Sequence, residues 1–159
     1  MTLDREHDFG AVEAQSPPSD LAVMRRAFGM RFTPRRVEAG RLPTLPNGRP
    51  GVSMGRAVHA AMSADSPASG LAVVDGVARH DVTITAQYGI LSDDRTGSWS
   101  AVGKSLIPLW QDHPVWIVTF SGDAVKIPSH GRGTTVTRHE MNVVIDAEIA
   151  TVLQAFVFR

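Results

Sequence analysis

Six histidines, at 7, 59, 80, 113, 130 and 139, are the side chains best suited to proton transfer or metal binding near neutral pH. None stands at the His-x-x-x-His spacing that puts two ligands on one helix face. His80-Asp81 and His139-Glu140 are sequence neighbours, and neighbours on a strand point to opposite faces. A composite site from His80, His113 and His139 requires their strands to pair. The expectation is hydrogen-bonded or exposed histidines.

Carboxylates offer a second chemistry. Asp93-Asp94 with Glu140 or Asp146 would suit acid–base work or a hard cation. SDDRTG also has the make-up of an ordinary Asx-type turn, which is the preferred reading. SHGRGTT, residues 129–135, could cradle an anion on backbone N–H groups. It has neither the lysine nor the following helix of a phosphate loop, so it reads as a long strand connection. Such connections often carry binding residues, which makes His130 and Arg132 candidates. No nucleophile elbow accompanies a Ser–His–Asp set. There is no cysteine, which excludes disulfides, Cys-zinc sites and thiol catalysis. No catalytic residue, metal site or cofactor is expected.

A basic run offers a third. Arg25, Arg26, Arg31, Arg35, Arg36, Arg41 and Arg49 face a single acid, Glu38, within that span. One reading is an arm for an acidic partner or an anionic lipid surface, with Arg35 and Arg36 as binding candidates. The preferred reading is a solvated linker, because aromatic interleaving of the kind that stacks bases is absent. Nucleic acid is not expected, since 16 basic and 16 acidic residues cancel and leave no global field. Trp99 sits in polar sequence and is a candidate partner contact.

These groups must be positioned by a chain of 159 residues, the size of one domain. Six of ten prolines lie in residues 1–50, at 17, 18, 34, 43, 46 and 50. That region reads as an arm: a mobile tail over 1–18, a short helix over SDLAVMRRAFGM, and extended chain over 31–50 anchored by Leu42 and Leu45. Residues 51–159 read as the folded domain. No apolar run reaches a membrane span of roughly 18 to 20 residues. The opening MTLDREHDFG is polar and acidic, unlike a signal peptide.

From Val52 to Ala64 the pattern is helical. Ser53 is the N-cap, and Met54, Ala57, Val58, Ala61 and Met62 form the apolar stripe. Leu71–Val74 and Val77 flank Asp75-Gly76, which suits a primed turn or a bulge. Val82, Ile84, Ala86 and Tyr88 alternate as one strand face. SDDRTGSWSAVGK reads as loop, and SLIPLWQDHP as a connection broken by Pro108 and Pro114. VWIVTFS is apolar on both faces and therefore central. A last hairpin joins residues 136–146 to 151–158, with Thr137, His139, Met141, Val143 and Ile145 facing the core. The predicted class is α+β, an antiparallel sheet of about four to five strands with one main helix packed on one face.

Three pieces, SMGRAVHAAMSA, PVWIVTFSG and NVVIDAEIATVLQAF, resemble PepSY-like modules of bacterial envelope proteins, small domains of cystatin-like look. Val143-Val144-Ile145-Asp146-Ala147 and Val152-Leu153 match that family's terminal hairpin. Its Thr-Gly-Glu turn is replaced by Glu148-Ile149-Ala150-Thr151, which loses the glycine that takes positive φ most easily. This atypical turn makes Glu148 a further binding candidate.

The resemblance covers about residues 52–158 and implies a non-catalytic binding or regulatory module that recognises a protein or peptide. It also implies an extracytoplasmic location if a leader was removed, with the cytoplasm as the alternative. The other expectation is a small-ligand-binding or enzymatic cystatin-like fold with its pocket between helix and sheet. The chain is expected to be a monomer or homodimer, with peripheral membrane proximity open to it.

Overall fold

A computed structural model describes residues 12–14, 30–100, 105–122, 125, 127–131 and 134–156. In chain order they form β1 (Val12–Ala14), β2 (Met30–Pro34), α1 (Met54–Ala61), β3 (Val73–Val74), β4 (Val77–Ala78) and β5 (Thr83–Ser100). Then come β6 (Ser105–Ser121), β7 (Ile127–Gly131), β8 (Thr134–Arg138), β9 (Glu140–Asp146) and β10 (Val152–Phe156). The class is α+β. Strands β5, β6, β9 and β10 run antiparallel in that order, and β2 joins antiparallel on the outer side of β5. On the same side β1 pairs parallel, with Val12 opposite Ile84.

α1 begins where Ser53 Oγ accepts the Arg56 backbone N–H at 3.1 Å, satisfying one of the donors a helix start leaves open. Its stripe of Ala57, Val58, Ala61 and Met62 is buried. It packs on the sheet face that carries Ile84, Ala86, Tyr88, Trp116, Val118, Phe120, Met141, Val143 and Ile145. Small side chains on the helix allow this close approach. Trp116 Nε1–H donates to the Val52 carbonyl at 3.0 Å, and the Val52 N–H to the Ala147 carbonyl at 2.7 Å. The entry to α1 is thereby tied to both β6 and the end of β9.

The opposite face holds a second core of Met30, Phe32, Leu91, Val115, Ile117 and Val144, with Leu153 packed against it. Residues 115–120 are therefore buried on both faces, as their sequence, apolar but for Thr119, predicts. β9 is too: Val144 and Asn142 are as buried as Val143 and Ile145, so the reading of a single core face on this strand is corrected. The face bearing Asn142 is satisfied by polar pairing, with Thr119 Oγ1 donating to Asn142 Oδ1 at 2.7 Å.

Several expectations about boundaries change. SDDRTGSWS is not a loop; it is the far half of β5, paired with residues 105–110 of β6. Pro108 and Pro114 lie inside β6 and do not break it. Two register shifts, Leu91/Asp93 and Asp93/Gly97, erase the period-two pattern that would have marked the strand, and Asp112 takes φ 47° beside them. Asp93 of β5 comes within 3.5 Å of Gln154 of β10, although two strands separate β5 from β10 in the sheet order.

Residues 129–135 are not a long connection, because β7 and β8 pair as a separate two-stranded sheet. The expected strand 136–146 accordingly divides at His139. Asp75 and Gly76, both at positive φ, turn β3 into β4 as a separate short hairpin. Part of the expected N-terminal arm is built into the sheet: β2 pairs along Gly89–Asp93, and β1 within the expected tail pairs with β5. Leu45 is a buried anchor, whereas Leu42 is half exposed. Of the helix expected over SDLAVMRRAFGM, residues 19–29 lie outside the described residues, and Met30 opens β2.

Candidate functional site

Gly89 decides how β2 enters the sheet. A Cβ there would lie 2.5 Å from Phe32 Cζ and closer still to the Thr33 carbonyl oxygen, so only glycine admits the Phe32 ring across β5. The chain leaving β2 stays bound to β5. The Arg35 N–H donates to the Tyr88 carbonyl at 2.8 Å, and Gln87 Nε2 donates to the Arg35 carbonyl at 3.2 Å and to the Tyr88 carbonyl at 2.9 Å. Both backbone groups of Arg35 are therefore held while its side chain stays exposed.

Beyond Arg35 the chain folds back on itself. Val37 and Leu45 are buried, and the Leu45 N–H donates to the Arg49 carbonyl at 2.8 Å. The Gly51 N–H donates to the Pro43 carbonyl at 2.7 Å, and Tyr88 Oη–H to the Thr44 carbonyl at 3.2 Å. The result is an open groove of about 520 Å³ lined by residues 35–38, 41–44 and 46 with Tyr88 and Ile90 of β5. Its volume falls in the range of roughly 300–1,000 Å³ usual for ligand sites.

The groove carries three arginines and one acid. Arg41 Nε lies 3.2 Å from Glu38 Oε2 in an exposed ion pair across one turn of chain. Among the described residues, Arg35 and Arg36 have no carboxylate partner, and Leu42 exposes half its surface beside them. Burial pushes the Tyr88 hydroxyl above its ordinary value of 10.0, and the Arg35 charge works against that rise. A guanidinium stays charged across the whole working pH range and cannot transfer protons. The chemistry on offer here is anion recognition.

A second constellation sits at the β9–β10 turn. His113 Nε2 lies 2.8 Å from Asp146 Oδ2. Asp146 Oδ1 accepts the N–H groups of Glu148 at 2.7 Å and Ile149 at 3.2 Å. Oδ1 thus fixes the turn in the manner of an Asx-turn, while Oδ2 ties it to His113 of β6. Ala150 completes it at φ 57°, without a glycine. Ser92 Oγ accepts the Asp112 N–H at 2.9 Å at the nearby bulge.

The residues singled out from the sequence fall in different places. Arg35 and Arg36 line the groove. Glu148 is exposed, with its backbone in the Asp146 turn. Trp99 stands in β5 opposite Leu106, and His130 in β7 opposite Thr135, so neither belongs to a loop as expected. Arg132 lies outside the described residues. His80 is exposed, His113 is bound to Asp146, and His139 Nδ1 meets the Val125 carbonyl at 2.8 Å, so the three do not share one hydrogen-bonded group. Asp93 lies near Gln154 and Asp146 is bonded to His113, while the side chain of Asp94 lies outside the described residues. Among the described residues, no cluster of three His, Asp or Glu side chains is placed to hold a metal.

Between α1 and the sheet, where a ligand pocket was the alternative expectation, Ala57, Val58, Ala61, Trp116, Val118 and Phe120 fill the space. No helix among the described residues is long and apolar enough to cross a membrane. The Gln87 clamp and the His113–Asp146 pair leave no local signal in the sequence, since both join residues remote in the chain. The Glu38–Arg41 spacing was a usable local signal. No family model, curated protein or solved structure matches this chain.

Proposed function

We propose that this chain is a non-catalytic binding or regulatory module that takes a protein or peptide partner in the groove between residues 35–46 and β5. The observation that carries the reading is the pair Arg35 and Arg36. Two exposed guanidiniums without a carboxylate partner among the described residues flank apolar Leu42 and Ile90, and the backbone beneath Arg35 is bonded on both sides. A held wall lowers the ordering cost of binding, and paired polar and apolar lining gives orientation. The resemblance of residues 52–158 to PepSY-like modules supports a binding role and a place at or outside the bacterial cell envelope.

Selection of a random peptide library on the immobilised whole chain tests the binding role. Enrichment of a recurrent sequence class that elutes with free peptide is the expected result. Failure to enrich any class at all would overturn it. Fractionation of cells expressing the native gene tests the location, with recovery in the cytosol alone counting against the envelope.

A further inference from the structure

Resting on that reading, we infer that the groove selects an extended acidic segment in which an aliphatic residue neighbours a carboxylate, the acid being gripped by Arg35 and Arg36. The lining has this complement. Arg41 is neutralised by Glu38 at 3.2 Å, so the charge left for a ligand sits on Arg35 and Arg36. Each presents a planar fork that matches a carboxylate in two parallel hydrogen bonds. Leu42, 52 % exposed, and the half-buried Ile90 lie in the same groove and offer an apolar seat beside that charge.

The Glu38–Arg41 pair limits the net charge of the lining to that of Arg35 and Arg36, so a short acidic segment beside an aliphatic side chain matches it better than a polyanion. Nucleic acid fits less well for a further reason. Tyr88 is the groove's one aromatic, its residue is 3 % exposed and its hydroxyl is committed to Thr44, which leaves no face for a base to stack on.

The test is fluorescence anisotropy with a labelled peptide carrying Glu-Leu-Glu in a Gly-Ser frame, and with its Gln-Leu-Gln counterpart. The proteins are the intact chain, R35Q/R36Q, R35K/R36K and R56Q/R79Q. The last removes the same charge from exposed sites outside the groove. Melting curves establish that each variant is folded. The expected result is binding of Glu-Leu-Glu by the intact chain and R56Q/R79Q. Binding should weaken about 10-fold or more for R35Q/R36Q and for the Gln peptide. R35K/R36K should fall between, having charge without the fork.

Equal binding of the Gln peptide, or equal binding by R35Q/R36Q, would overturn the acidic-segment inference and leave peptide recognition standing. The same holds if only library-selected peptides of another class bind. Tighter, arginine-dependent binding of a single-stranded oligonucleotide or of phosphatidylglycerol vesicles would also overturn it. Should no peptide bind in either assay, the inference falls together with the reading beneath it.

Discussion

Arg35 is bonded to Tyr88 through the backbone, and its charge works against the effect of burial on the Tyr88 hydroxyl. Its N–H donates to the Tyr88 carbonyl at 2.8 Å, while its guanidinium holds down a phenol that burial pushes up. The wall of the groove and its floor are therefore one unit, and the chain's one tyrosine reports on the charge beside it.

Ultraviolet titration of the tyrosine follows from that coupling. An unfolded tyrosine titrates near 10.0, and Tyr88 in the folded chain titrates above it. The folded state thus holds its proton more tightly. The stability this contributes is fully present below pH 10.0 and is lost as pH rises through the folded value. Removing the opposing charge in R35Q raises the midpoint further, and so does saturation with an acidic peptide. A midpoint that falls in R35Q would contradict the arrangement.

Gly89→Ala should be costly. Its Cβ would press on Phe32 and on the Thr33 carbonyl, and overpacking of this kind costs about 1–3 kcal/mol. Because β2 runs directly into Arg35, the variant should also weaken peptide binding. Urea unfolding and anisotropy on the same preparation read both effects.

Asp146→Ala removes the acceptor for three donors at the β9–β10 turn: His113 Nε2 and the N–H groups of Glu148 and Ile149. A loss of about 2–3 kcal/mol is expected from hydrogen bonds to a charged group. His113→Ala should cost less, about 1 kcal/mol, since the imidazole is the more exposed partner. Equal losses in urea unfolding would mean that the pair, and not the turn, is what Asp146 serves.

Ala150→Gly should stabilise the chain. Ala150 sits at φ 57°, where an L side chain is strained by about 1 kcal/mol and glycine is not. A raised melting temperature with unchanged peptide binding is expected, because the turn lies outside the groove.

The fold was legible where burial writes a period into the chain. Val82, Ile84, Ala86 and Tyr88 alternate and are buried; Ser53 caps a helix whose Ala57, Val58, Ala61 and Met62 pack as spaced; residues 115–120, apolar but for Thr119, lie between two cores. The far half of β5 was illegible because its strand identity comes from backbone pairing across bulges, which no side-chain pattern records. Pro108 and Pro114 gave a false stop for the same reason.

Of the groove, the charge was visible in the sequence and the geometry was not. Arg35 and Arg36 stood out as cations, but the Gln87 and Tyr88 contacts that hold Arg35 span about fifty residues of chain. Leu42 and Leu45 looked alike as anchors. Only the turn that buries Leu45 and leaves Leu42 beside the arginines distinguishes them.

The most direct measurement is amide chemical-shift mapping of the isotope-labelled intact chain titrated with the Glu-Leu-Glu peptide. Perturbations that saturate together at Arg35, Arg36, Leu42, Tyr88 and Ile90 are expected. Perturbations confined to β10 or to the β3–β4 hairpin, with those five amides unmoved, would contradict binding in the groove.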